Sequence, residues 1–169
     1  KSTINLASYS MEGYLGVLVY IIIGIIATVI IQSSAATMAI VIAALVSSQI
    51  IYENALAISI GANIGTTITA IVGALASNEN GKRLAVAHFI FNAITALVAL
   101  VFIYHFAFIV DYLAQVFGVD DSNFGIKLAI FHTVFNIIGI MLVAPFTQKI
   151  VARLETLFIP KVKAKSKPL

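Results

Sequence analysis

Charge is absent from four long stretches of this chain. No Asp, Glu, Lys or Arg occurs in residues 13–52, 54–78, 84–110 or 128–148. Even the shortest has the roughly 20 residues that one helical crossing of a bilayer needs. The pattern predicts an all-α integral membrane protein. Residues 14–46 are apolar but interrupted by Gln32-Ser33-Ser34. As one helix they would be about 50 Å long, too long for a single crossing of a ~30 Å core and slightly short for two. A helix that descends, breaks and returns fits, with the polar triplet at membrane depth. Residues 55–75 have the length of one span, but Gly61-Ala62-Asn63-Ile64-Gly65-Thr66-Thr67 at the centre predicts a second unwound stretch. Two more regular spans are expected, residues 84 to about 109 and 126 to about 146, with Pro145 ending the latter. A polar turn at 77–83 and an acidic loop at 111–125 precede them.

Composition narrows the class further. Apolar residues make up 61% and charged residues 10% of the chain, against about 25% charged in a soluble domain. Too few polar side chains are present to cover a water-soluble globule, which excludes a soluble enzyme and a nucleic-acid binder. With no cysteine there is no disulfide, thiol nucleophile or Cys-based metal site. The net charge is +3, and six of the ten basic residues fall in 149–169: Lys149, Arg153, Lys161, Lys163, Lys165 and Lys167. That cluster reads as a cytoplasmic flank facing anionic headgroups. The Lys82-Arg83 turn is then cytoplasmic as well, and the loop with Asp111, Asp120 and Asp121 is outside. The chain divides into a flank at 1–13, a membrane unit at 14–148 and a basic tail at 149–169. It starts at Lys1 without a signal-peptide pattern and reads as part of something longer.

Two polar constellations stand out. In the first, Gln32, Ser33, Ser34 and Thr37, the residues Ser33 and Thr37 share a helical face. In the second, Asn63 is three and four residues from Thr66 and Thr67, and Thr66 is three from Thr69. Hydroxyls and small residues also glue helices together in lipid. Two clusters beside two suspected breaks favour a binding site, because unwound backbone in hydrocarbon must be buried in protein or line a wet cavity. Half-helices starting near Ser33 and Thr66 would aim free N–H groups at an anion. Those ending near Ile31 and Ile60 would offer carbonyls to a small hard cation such as Na⁺. Such a site contains no Lys or Arg, so a multiply charged anion would need cations bound beside it. That is the logic of ion-coupled symport. His88 and His132 lie near span ends and read as structural, each bonding a nearby carbonyl. No nucleophile–base set appears, so an enzyme is not expected.

Residues 83–92 and 127–136 echo each other at an offset of 44, each with a basic residue, a His five later and an Asn four after that. Gln32-Ser33-Ser34-Ala35-Ala36-Thr37, the Gly61 to Thr67 run, Ala87-His88-Phe89-Ile90-Phe91-Asn92 and His132-Thr133-Val134-Phe135-Asn136 together resemble the type II sodium/phosphate cotransporter family. The resemblance implies one repeat of an inverted-repeat transporter, with discontinuous or re-entrant helices beside spanning ones. It implies phosphate on Gln32, Ser33, Ser34, Asn63 and Thr66, and Na⁺ on Gln32, Ser33, Thr66, Thr67 and Thr69. It departs from the family at Ala35, often a third Ser, and in holding one Gln-Ser-Ser where the family has two. The chain therefore reads as the C-terminal repeat of a sodium-coupled phosphate symporter in a plasma membrane, the bacterial inner membrane being favoured. It would be completed by the other repeat or a second copy. Its partners are phosphate, sodium and the lipid bilayer, with no organic cofactor and no nucleic acid. The rival reading is a membrane-embedded anion sensor or scaffold signalling through a cytoplasmic domain.

Overall fold

The structure, a computed structural model, describes residues 13–159. The flank at 1–12 with Glu12, and Lys161, Lys163, Lys165 and Lys167 of the tail, lie outside the described residues. Every described element is helical: α1 (Gly13–Ile31), α2 (Ser34–Val46), α3 (Tyr52–Ala74), α4 (Glu79–Val101), α5 (Ile103–Val116), α6 (Phe124–Val143), a 3-10 turn (Ala144–Phe146) and α7 (Thr147–Leu157). Four stretches are long and apolar enough to cross a membrane: α1, α3, α4 and the run Phe124–Leu157 that α6 opens. The helices α2 and α5 are apolar but shorter.

The interruption expected at the polar triplet is present. Gln32 sits in the left-handed region, at φ 56°. Ser33 is extended, and its hydroxyl caps α2 by accepting from the Ala36 N–H at 3.2 Å. Across the break the hydroxyls of Thr28 and Thr37 meet at 3.1 Å, both side chains fully buried, so the chain folds back on itself there. A second left-handed residue, Ser48 at φ 55°, follows α2. Ser33→Ala removes the cap and is expected to cost about 1 kcal/mol. Thermal unfolding in detergent measures it; unchanged stability would show that the cap carries nothing.

The second expected interruption is not there. Helix α3 runs unbroken from Tyr52 to Ala74, through all of Gly61 to Thr67. The glycines serve a close helix crossing instead. A Cβ on Gly61 would stand 2.0 Å from the Ile21 carbonyl oxygen, one on Gly24 would stand 2.3 Å from that of Ile58, and one on Gly65 would stand 2.7 Å from Thr28 Cβ. Gly61 and Gly65, four apart, form a bare strip along α3 on which α1 lies backbone to backbone.

The expected span over 84–109 is also divided. Helix α4 ends at Val101, Phe102 leaves helical geometry, and α5 continues to Val116, so Asp111 is helical and not in a loop. Tyr104 and His105 follow the division directly, the His105 ring edge-on to Phe102. In space, Tyr14 binds the division, donating its hydroxyl to the Val101 carbonyl at 3.0 Å and packing edge-on against Tyr104.

Charge gathers at the two ends of the bundle as the sequence pattern predicts. At one end Lys127, its side chain 8% exposed, pairs with Asp111 at 3.0 Å and Asp121 at 3.1 Å and stands over the Tyr52 ring. This fastens the starts of α3 and α6 to α5 and to the following loop. In that loop the hydroxyl and N–H of Ser122 bind the Asp120 carboxylate and hold its pKa below the usual range. At the other end Arg83 donates to the carbonyl of Phe158 and to Asn80 Oδ1, tying α7 to the start of α4.

Candidate functional site

Helix α2 starts beside a cavity of about 300 Å³ between α2, α3 and α6. Its polar lining is Ser34 from α2, Ser59 and Asn63 from α3, and His132 from α6. Ala35, Met38 and Leu128 supply part of the apolar wall. Helix periodicity explains the α3 contribution: Ser59 and Asn63 are four apart and lie on one face. Ser33, the cap, leaves the N–H groups of Ser34 and Ala35 at the open start of α2, with no carbonyl a turn below them.

Two buried polar atoms here have no hydrogen-bond partner, Ser59 Oγ and Asn63 Nδ2. Ser59 is 1% exposed. An unpaired buried polar group costs about 1–3 kcal/mol, and both of these line the cavity, where a bound polar group would satisfy them. The other end of the Asn63 amide is engaged, since Asn63 Oδ1 and His132 Nε2 are 3.2 Å apart. In this orientation of the amide, Nε2 carries the proton of the contact. The contact turns the Asn63 NH₂ away from the histidine. The arrangement offers donors and partial positive charge with no formal charge, which suits an anion.

The remaining expected site residues do not line this cavity. Gln32 is exposed at the break. Ser33 lies next to the lining but uses its hydroxyl as the helix cap. The hydroxyls of Thr66, Thr67 and Thr69 donate to the carbonyls of Ala62, Ile64 and Thr66 within α3. They do not pair with Asn63, as their spacing suggested, and with α3 unbroken Thr66 starts no half-helix. Their protons are committed, which leaves oxygen lone pairs as their available function. The expectation for Thr37 holds in part: it bonds back to the Ser33 carbonyl and across to Thr28.

Sequence reasoning missed Ser59 and assigned His132 to structure. The spacing of Ser59 one turn before Asn63 was the available signal. His132 stood out as an ionisable residue within an apolar span, but its contact with Asn63 did not, because that partner lies 69 residues away. The two halves of the internal echo share one local device: Asn92 and Asn136 donate their amides to the carbonyls of His88 and His132, at 3.1 and 2.7 Å. Only His132 also reaches across to another helix in this way. Among the described residues no group of three or more His, Cys, Asp or Glu could hold a metal ion.

Comparison with known proteins bears on this geometry. A family model described as Na⁺/Pi-cotransporter matches residues 15–131. The chain is 31% identical over 140 residues to YqeW of Bacillus subtilis (strain 168), whose own description is an uncharacterized protein. The match takes in 83% of this chain and 43% of YqeW, so the chain spans less than half the length of that relative. No solved structure matches it.

Proposed function

This chain belongs to the Na⁺/Pi-cotransporter family, and on that footing we propose that it forms one repeat of a sodium-coupled phosphate symporter working by alternating access. The observation that carries the reading is the cavity at the start of α2, where Ser59 Oγ and Asn63 Nδ2 are buried without partners. Phosphate would sit against the first N–H groups of α2, Ser34, Ser59 and Asn63, with Gln32 and Ser33 at its edge. His132 acts as a positioning residue, holding the Asn63 amide so that its NH₂ and not its oxygen meets the anion. A cradle of dipoles and hydroxyls cannot balance a multiply charged anion in a low dielectric. Sodium, bound beside it, completes the neutralisation. Oxygens already donating their protons are suited to a cation, which is the role assigned to Thr66, Thr67 and Thr69, with Gln32 and Ser33 reaching the same ion.

Helix α2, at 13 residues, rises about 20 Å, less than the ~30 Å hydrocarbon core. That supports a re-entrant α1–α2 pair which brings the site to membrane depth. The basic end with Lys82, Arg83 and α7 faces the cytoplasm, as the excess of Lys and Arg directs, in a bacterial inner membrane. A second repeat, from a longer chain or another copy, closes the site.

The test is uptake of labelled phosphate into proteoliposomes in Na⁺ and in choline. Uptake is expected to fall at least about tenfold in choline, one 1.4 kcal/mol step of coupling. Equal uptake in both ends the sodium claim. Phosphate binding without flux would favour the sensor.

A further inference from the structure

Away from this cavity, α4 and α7 enclose a groove of about 390 Å³ whose exposed wall is entirely apolar. It is lined by Val86 and Ile90 of α4, by Phe146, and by Ile150, Leu154 and Leu157 of α7. A second groove of about 360 Å³ shares Ile90, Phe146 and Ile150 with it and continues along α4 to Ile94 and Val98, facing Leu142 of α6. Together they make one channel from Val86 to Val98. Along a helix that is about 18 Å, slightly more than half of the ~30 Å hydrocarbon core, or the depth of one leaflet.

The end of this channel carries Lys149 and Arg153, whose stems line it. They are four apart and share a face of α7. Both are exposed. Among the described residues the other cations are occupied: Lys82 by Glu79, Lys127 by two aspartates, Arg83 by the Phe158 carbonyl. Among the described residues neither Lys149 nor Arg153 has an ion-pair partner, and the Lys149 ammonium stands 5.9 Å from the centre of the Phe146 ring. Glu155, two residues beyond Arg153, falls on the opposite side of α7 at 3.6 residues per turn. The tie from Arg83 to Phe158 holds α7 in place, so the two cations are presented on a fixed helix.

We propose that this channel binds one anionic phospholipid, its acyl chain along α4 from Val98 to Val86 and its phosphate between Lys149 and Arg153. A groove between the spanning helix α4 and the amphipathic α7, with no polar surface, takes hydrocarbon. Two unpaired cations at the end of it, where the basic groups of the protein gather, select a negative headgroup. Each basic residue near a bilayer surface contributes about 1 kcal/mol toward anionic lipid.

The experiment is native mass spectrometry of the full chain released from detergent containing phosphatidylglycerol or phosphatidylcholine of the same acyl composition. Phosphatidylglycerol adducts are expected to survive conditions that strip phosphatidylcholine. The pair Lys149→Gln and Arg153→Gln should lower phosphatidylglycerol retention about thirtyfold, while Lys149→Arg retains it. A phosphatidylglycerol with a photoreactive acyl chain should label residues between 86 and 98 or between 142 and 157. Circular dichroism checks that the double variant keeps its helices. Equal retention of the two lipids, retention insensitive to the double substitution, labelling elsewhere, or displacement by inorganic phosphate would each overturn the site. The last would indicate a soluble anion and not a lipid.

Discussion

Replacing Asn63 by Asp is expected to abolish phosphate binding at the proposed site and to leave the bundle intact. The two side chains have the same size and shape, and the carboxylate still accepts from His132 Nε2 as Asn63 Oδ1 does at 3.2 Å. What changes is the other end of the group, where a buried, unpartnered NH₂ donor becomes a charged oxygen. Losing a donor to a charged ligand costs about 1.5–3 kcal/mol. Placing a negative charge about 4 Å from an anion adds about 4 kcal/mol at an effective dielectric of 20. The sum predicts a loss of at least about ten-thousandfold in phosphate affinity, read by binding and by uptake in proteoliposomes. Asn63→Leu, which removes the donor without adding charge, should lose about ten- to a hundredfold. The order of the two variants is the sharper test. A cavity built for a cation would bind its ion as well or better in the Asp variant, and that result would remove phosphate from this site.

Gly61→Ala is expected to cause the largest loss of stability of any single methyl added to the chain. The new Cβ would lie 2.0 Å from the Ile21 carbonyl oxygen and 2.9 Å from its carbon. Both are backbone atoms of α1, so no side chain can turn aside and the helices must part. Overpacking of this kind costs about 1–3 kcal/mol in ordinary cores, where flexible side chains absorb some of it; here about 3 kcal/mol or more is expected. Unfolding in detergent should move down by about 10 °C, on the scale of about 2–4 °C per kcal/mol for a chain of this size. Gly73→Ala is the control on the same helix. A Cβ there meets nothing within 4 Å, and alanine's helix propensity predicts no loss, or a gain of up to about 1 kcal/mol. Equal behaviour of the two variants would mean that α1 and α3 do not cross as described.

The interruption at Gln32 was legible because two independent facts converge on it. The apolar run is too long for one crossing, and three polar residues sit within it. Gly61 and Gly65 were misread because glycine has two uses that look the same in one dimension. It frees the backbone to leave a helix, and it lets two intact helices touch. Only the partner decides, and here the partner is α1, whose Gly24 lies nearly forty residues upstream. Their separation by three residues was the local hint of a crossing. The division at Phe102 was missed because Tyr104 and His105, the polar residues just beyond it, read equally well as the interfacial end of one span. Of the expected site, Ser34 and Asn63 line the cavity. Thr66, Thr67 and Thr69 satisfy their own helix, since hydroxyls on an unbroken helix can bond the preceding turn. His132 joined Asn63 through tertiary packing that no local pattern encodes.

The glycine crossing also decides where this protein can bend. A seam of main chain against main chain has no rotamers to exchange, so α1 and α3 are expected to stay together as a single girder. Helix α2 is different, with a left-handed non-glycine residue before it, Gln32, and another after it, Ser48. Each is a joint at which a small torsional change redirects the whole segment. If the proposed transport holds, α3 is expected to be the steady wall of the cavity and α2, thirteen residues set between two such joints, the segment that swings.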